Sequence, residues 1–204
     1  MSSDHDLIVA TANGDLAGFE ALYERYSDRV YRFALGVSGS KSLAEDATQE
    51  TFVQVMQTAD RFAVERSDKA IGWIYGICRN QLRPLLRHAR RHLSSSTSDG
   101  DGDGNEAGYP TANEASSRSE LDAHYEWSRS AEVIAKALQQ LSIDQREVLT
   151  LCGLQELDYQ TAADILELPV GTVRSRLSRS RQALRCALRT HMGSTLEEIG
   201  TDVR

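Results

Sequence analysis

DYQTAADILELPVGTVRSRLSRSRQALRCALR, residues 158–189, is the stretch on which the fold turns. Asp158 offers a side-chain acceptor directly before Tyr159–Leu166, a run with helical apolar spacing, which predicts an N-cap and a short helix. Pro169 cannot continue that helix, so Glu167-Leu168-Pro169-Val170-Gly171 is a tight connection into a longer helix starting near Val170. With Val173 set at zero and about 100° of turn per residue, Leu177, Ser180, Leu184, Ala187 and Leu188 fall within roughly 60° of it and form the buried stripe. Ser175 and Gln182 point nearly opposite. Arg174, Arg181, Arg185 and Arg189 line one shoulder of that ridge, and Arg176 and Arg179 the other. Such a face fits a DNA major groove, where small polar side chains approach base edges and arginines take guanine or phosphate. The plain alternative is a solvated arginine-rich face. The segment from Arg174 to Arg189 contains no acid, and on the second helix of this geometry that favours DNA.

Upstream, Ala131–Leu141 reads as a helix, and Ser142 with Gln145 has capping-box form ahead of Val148, Leu149 and Cys152. The N-terminal part is also helical. Asn13-Gly14 breaks a short opening helix, Asp15 caps the next, and Leu16, Phe19, Tyr23, Tyr26, Val30 and Ala34 give it an apolar stripe. Gly36 and Gly39 mark its stop. Ser42 with Glu45 predicts a second capping box, followed by the stripe Leu43, Ala47, Phe52, Val55, Ala59 and Phe62. Asp68 can cap a fourth helix that buries Ile71, Ile74, Cys78, Leu82 and Leu85 and carries Arg79, Arg83, Arg87 and Arg91 on another face. Pro84 lies inside that helix, where it removes a hydrogen bond and clashes with the carbonyl of Asn80, so a kink or restart is expected near Arg83.

No run alternates as a strand would, so the expectation is an all-α chain in two small helical domains. Leu93–Ala115 is Ser, Gly and Asp with almost no large apolar residue. It cannot offset the entropy of ordering and reads as a flexible linker. The boundaries are therefore 1–92, an acidic linker 93–130, a helix-turn-helix domain 131–190 and a tail 191–204. The net charge of −7 would argue against a nucleic-acid partner if it were evenly spread. It is not, because Asp99, Asp101, Asp103, Glu106, Glu114, Glu120, Asp122 and Glu126 are offset only by Arg118 and Arg129 within the linker. The flanking domains keep two basic patches.

With 40% hydrophobic and 26% charged residues, the chain has the balance of a soluble globular protein. No apolar run approaches a signal peptide or a membrane span, so a cytoplasmic protein with no membrane insertion of its own is expected. Cys78, Cys152 and Cys186 are odd in number and form no CxxC, and read as free thiols serving as small core residues. Asp99, Asp101, Asp103 and Gly104 imitate the start of a calcium loop, but its twelfth position is Pro110 where a bidentate Glu is needed. His88 and His92 sit four apart among arginines that oppose a metal cation. Trp73 serves the core or shapes a base pocket. No catalytic triad, phosphate loop or paired carboxylate is present, so neither an enzyme nor a cofactor is expected.

AEDATQETF (44–52), GWIYGICRNQL (72–82), ALQQLSIDQREVLTL (137–151) and YQTAADILELPVGTVRSRLSRSRQALR (159–185) resemble, in order and spacing, the extracytoplasmic-function sigma factors of bacterial RNA polymerase. The resemblance implies a region 2 bundle and a region 4 helix-turn-helix that bind polymerase core and direct it to promoters. It places Glu45, Asp46, Gln49 and Glu50 against the clamp helices of the largest polymerase subunit, with the flap of the second-largest subunit as a further contact. Arg79, Asn80 and Arg83 would meet the minus-ten element. Thr172, Arg174, Ser175, Arg176 and Arg179 would meet the minus-thirty-five element. It also implies an inhibitory anti-sigma partner. Pro84 departs from the family, which commonly has an acid there, and Met56 replaces a frequent tryptophan. The competing readings are an autonomous helix-turn-helix regulator with an N-terminal sensing or dimerising bundle, and an interaction scaffold.

Overall fold

The computed structural model of the chain describes residues 2–65, 70–95 and 133–200. Asp68, most of the segment read as a linker, and the calcium-like run lie outside the described residues. Within them the secondary structure is helical, with no strand. Four helices, α1 (Asp4–Ala12), α2 (Leu16–Ser38), α3 (Lys41–Glu65) and α4 (Ala70–Ser95), make an N-terminal bundle. The C-terminal unit has α5 (133–139), α6 (Ile143–Leu149), a π-helical turn at Thr150–Leu154, α7 (Tyr159–Leu166) and α8 (Val170–Gly200).

Local chemistry sets the helix ends. Ser3 and Asp6 form a capping box for α1 that the sequence reading missed, and Gly14 takes φ 81° to turn the chain into α2. Asp15 caps α2 as expected, its carboxylate accepting from the Ala17 N–H at 2.9 Å. Gly36 does not stop α2, which ends at Gly39 in the left-handed region, φ 71°. That stop leaves Ser40 at the head of α3, where its hydroxyl accepts from the Leu43 N–H at 3.4 Å. The cap is therefore Ser40 and not the expected Ser42–Glu45 box. Ser142 and Gln145 do form theirs, at 3.3 and 3.0 Å. Pro84 neither ends nor restarts α4, which runs unbroken to Ser95, past the Leu93 boundary read from composition. Pro84 is exposed while Leu82 and Leu86 on either side are buried, so packing holds the helix where one backbone hydrogen bond is lost. Helix α8 likewise continues into the segment read as a tail.

Around α2 the buried stripe differs from the expected one. Leu16 and Tyr23 are exposed, whereas Leu22, Tyr26, Val30, Phe33, Ala34 and Val37 are buried. The face is set by α1, which crosses at Gly18, where a Cβ would stand 2.5 Å from that of Ala10. Phe33 packs edge-on to Tyr75 of α4, with centroids 5.3 Å apart. In the C-terminal unit the predicted α8 stripe holds: Val173, Leu177, Ser180 and Ala187 are buried, with Leu184 and Leu188 packed partly against them. Cys78 is buried, which pushes its thiol up to about 12, whereas Cys186 is exposed and no core residue. The apolar core is continuous across both units, because α7 packs on α4, and α6 and the π-helical turn pack on α2.

Candidate nucleic-acid interface

The helix-turn-helix is built from its caps outward. Both the Gln160 and Thr161 N–H groups donate to one Asp158 carboxylate oxygen at 2.9 Å, and the Thr161 hydroxyl donates to the other at 2.6 Å. These bonds, Thr161 foremost, hold the Asp158 carboxyl below its ordinary pKa. Helix α7 then ends on Glu167 at φ 57°, ψ 44°, with the Leu168 N–H returning to the Ala163 carbonyl at 3.0 Å. A non-glycine residue in that region costs about 1 kcal/mol. Pro169 opens the next turn, its carbonyl accepting from Thr172 and Val173 N–H at 2.8 and 3.1 Å.

Helix α8 places the expected residues as follows. Arg174, Ser175 and Arg179 are exposed, while Thr172 and Arg176 are half-buried. The Arg174 guanidinium lies 5.3 Å from the centroid of the Tyr159 ring. Ser175 donates its hydroxyl to the Thr172 carbonyl at 3.0 Å, and Arg179 donates Nε to the Ser175 carbonyl at 3.4 Å, so both lie close along the helix. Arg181, Gln182, Arg185 and Arg189 continue the exposed face.

On α4 the three expected residues separate. Asn80 is exposed at the rim of a cavity of about 540 Å³, also lined by Gln54, Arg61, Phe62, Trp73 and Ile77. Trp73 stacks flat on Phe62, with centroids 4.3 Å apart and planes 10° apart, so it is at once a packed residue and a cavity wall. Arg79 and Arg83 face the C-terminal unit instead. Arg83 forks onto Glu147, its Nε and Nη2 each donating at 2.7 Å, and donates Nη2 to Asp144 at 2.6 Å. These partners, Glu147 first, hold its guanidinium above the ordinary arginine pKa. Arg79 donates Nε to Glu147 at 3.3 Å. The Tyr75 hydroxyl donates to Gln155 at 2.8 Å across the same boundary.

Sequence reasoning missed Asp144, Glu147 and Gln155. The i, i+3 spacing of two acids on α6 was available as a signal, but which cations would meet them was not. Glu45, Asp46, Gln49 and Glu50 are all exposed on α3 and make one acidic, amide-bearing face. Among the described residues no cluster of His, Cys, Asp and Glu could hold a metal, and no helix is long and apolar enough to cross a membrane.

Comparison with known proteins agrees with this architecture. Sigma-70 region 2 matches residues 22–92, and Sigma-70 region 4 matches residues 131–184. The chain is 31% identical over 192 residues to the ECF RNA polymerase sigma factor SigE of Mycolicibacterium smegmatis, covering 93% of this chain and 70% of that one. It is 33% identical over 156 residues to the ECF RNA polymerase sigma factor EcfG of Rhodopseudomonas palustris, covering 76% and 77%. Among solved structures it is similar to the sigma factor RpoE of Bartonella quintana, crystallised with the anti-sigma factor NepR. That match is 26% identical, covers 84% of this chain and 96% of that one, and has a TM-score of 0.62. With two helical units in the family order and relatives that span most of its length, this chain belongs to the ECF RNA polymerase sigma factors.

Proposed function

We propose that this sigma factor divides promoter recognition between its two units. Thr172, Arg174, Ser175, Arg176 and Arg179 on α8 read the minus-thirty-five element, and Arg79, Asn80 and Arg83 on α4 hold the minus-ten element. The carrying observation is the outer face of α8, where Arg174, Ser175 and Arg179 are exposed on a helix anchored by buried Val173 and Leu177. The cavity beside Asn80 has room for one extruded base, with the Phe62–Trp73 pair as its apolar wall.

Glu45, Asp46, Gln49 and Glu50 bind the clamp helices of the largest polymerase subunit, a basic partner suited to an acidic face, and the C-terminal unit meets the flap of the second-largest subunit. The functional units run 1–92 and 131–190, with 93–130 spanning them and 191–204 as a tail. An anti-sigma factor covers the polymerase-binding surfaces, a reading supported by the relative crystallised with NepR. The protein needs no cofactor and performs no catalysis itself.

Sequencing the transcripts that core polymerase makes with and without the protein tests this. A defined set of start sites is expected only when it is present. Paired Glu45→Lys and Asp46→Lys changes are expected to abolish capture of core polymerase while the fold is kept. Retained capture would refute the α3 assignment.

A further inference from the structure

Pro84 stands in mid-helix on the face of α4 that carries the cavity. Trp73, Ile77 and Asn80 line that cavity at turn spacing, and Pro84 follows one turn beyond the Asn80 rim. At about 100° of turn per residue, the other three lie within roughly 60° of Asn80. Asn80, Pro84, Arg87 and His88 are exposed, while Leu82 and Leu86 are buried behind them.

A helical carbonyl points toward the residue four places on and accepts from its N–H. Proline has none, so the Asn80 carbonyl loses that donor. On the solvent side of a helix such a carbonyl tilts outward, where water satisfies it. Covered by a docked base it must be given a donor, because a buried acceptor left unpaired costs more than a bond gains.

We infer that the Asn80 carbonyl, freed by Pro84, selects a base with an exocyclic amino group at one position of the minus-ten element; this rests on the reading that sets Asn80 there. Adenine N6 and cytosine N4 are donors where guanine O6 and thymine O4 are acceptors. An amino base therefore donates to the carbonyl, and a keto base sets oxygen against oxygen. The other polar groups of the rim do not make this distinction. The Asn80 and Gln81 side-chain amides offer a donor or an acceptor according to how they turn, and so serve either class. Among the described residues no carboxylate lines the cavity. The backbone carbonyl accepts only, and it cannot turn.

The test is transcription by core polymerase and the full-length protein from a library randomised across the minus-ten element, each promoter carrying a transcribed barcode. At one position the wild type is expected to favour adenine and cytosine over guanine and thymine by about tenfold, the effect of one buried acceptor left unpaired. Pro84→Ala and Pro84→Val both supply the missing N–H, and each is expected to cut that preference to about twofold or less. Thermal melts of both should lie at or above the wild type, because the helix regains a hydrogen bond. A lost preference is then not a lost fold.

A wild type with no amino-over-keto preference at any position, or a preference unchanged in Pro84→Ala, would overturn the selector. A preference kept by Val and lost by Ala would assign it to apolar contact with the side chain, which overturns it equally. In either event Asn80→Ala locates the fault. Lost promoter output keeps Asn80 at the minus-ten element and leaves only the selector wrong, whereas unchanged output removes that placement itself.

Discussion

The aromatic ring of Tyr159, at the first position of α7, lies beside the guanidinium of Arg174 on α8, 5.3 Å from centroid to Cζ. Tyr159 is 39% exposed, so the attraction is partly solvated and is about 0.5–1 kcal/mol. Its consequence is positional, since it ties α8 to α7. Tyr159→Ala is expected to weaken promoter binding by the polymerase complex a few-fold, and Tyr159→Phe to leave it near wild type. Anisotropy with a minus-thirty-five duplex reads the difference. A Phe variant as weak as Ala would assign the effect to the hydroxyl and not the ring face.

Asp158, one residue earlier, is a charged cap with a pH signature. Its folded pKa lies below the unfolded value of about 3.9, because Thr161 and the α7 N–H groups bond the charged form. The stabilisation is therefore complete above the unfolded pKa and is lost as pH falls through the folded one. Asp158→Ala is expected to cost about 1 kcal/mol near neutrality. Thermal melts should show the gap between wild type and variant narrowing in acid, below about pH 4. A gap constant through that range would mean the carboxylate charge contributes nothing.

Glu167 gives the opposite kind of prediction. It holds φ 57° with its side chain largely exposed, and its ion pair with Arg79 is long at 3.8 Å. Relief of backbone strain outweighs loss of that pair, so Glu167→Gly is expected to stabilise the protein by about 1 kcal/mol. Urea unfolding checks this through a higher midpoint at unchanged slope. A lower midpoint would show that the carboxylate, and not the backbone, dominates at this turn.

The features legible in the sequence were local ones. Asp158, Pro169 and the Val173–Leu177–Ser180–Ala187 spacing prescribe the helix-turn-helix because caps, proline and periodicity act within a few residues. The same holds for Asp15 and for the Ser142–Gln145 box. Leu16 and Tyr23 were misassigned to the core because the stripe they extend does not show which helix will cross it. That depends on Gly18 admitting α1, a contact between elements. Arg79 and Arg83 were recognised as a basic face, yet their partners Asp144 and Glu147 lie more than sixty residues away, and no spacing rule joins them. Asn80 and Trp73 fall between these cases. Their helix was evident, but the cavity they line exists only once Phe62 of α3 is packed beside them.

Glycines separate packing from propensity most sharply. Alanine is favoured over glycine by up to about 1 kcal/mol in a helix interior, so both Gly18→Ala and Gly72→Ala should stabilise if propensity alone decided. At Gly72 a Cβ meets nothing within 4 Å, and a gain of some tenths to about 1 kcal/mol is expected. At Gly18 the Cβ would stand 2.5 Å from that of Ala10 and 3.3 Å from the Leu7 carbonyl, so α1 has to move. Ile8 and Leu7 are buried beneath it, and overpacking of this kind costs about 1–3 kcal/mol, more than the propensity gain. Chemical denaturation of the two variants side by side is expected to shift their midpoints in opposite directions. Equal shifts would mean that α1 is not docked on α2 as described, and that Leu7 and Ile8 contribute little to the bundle.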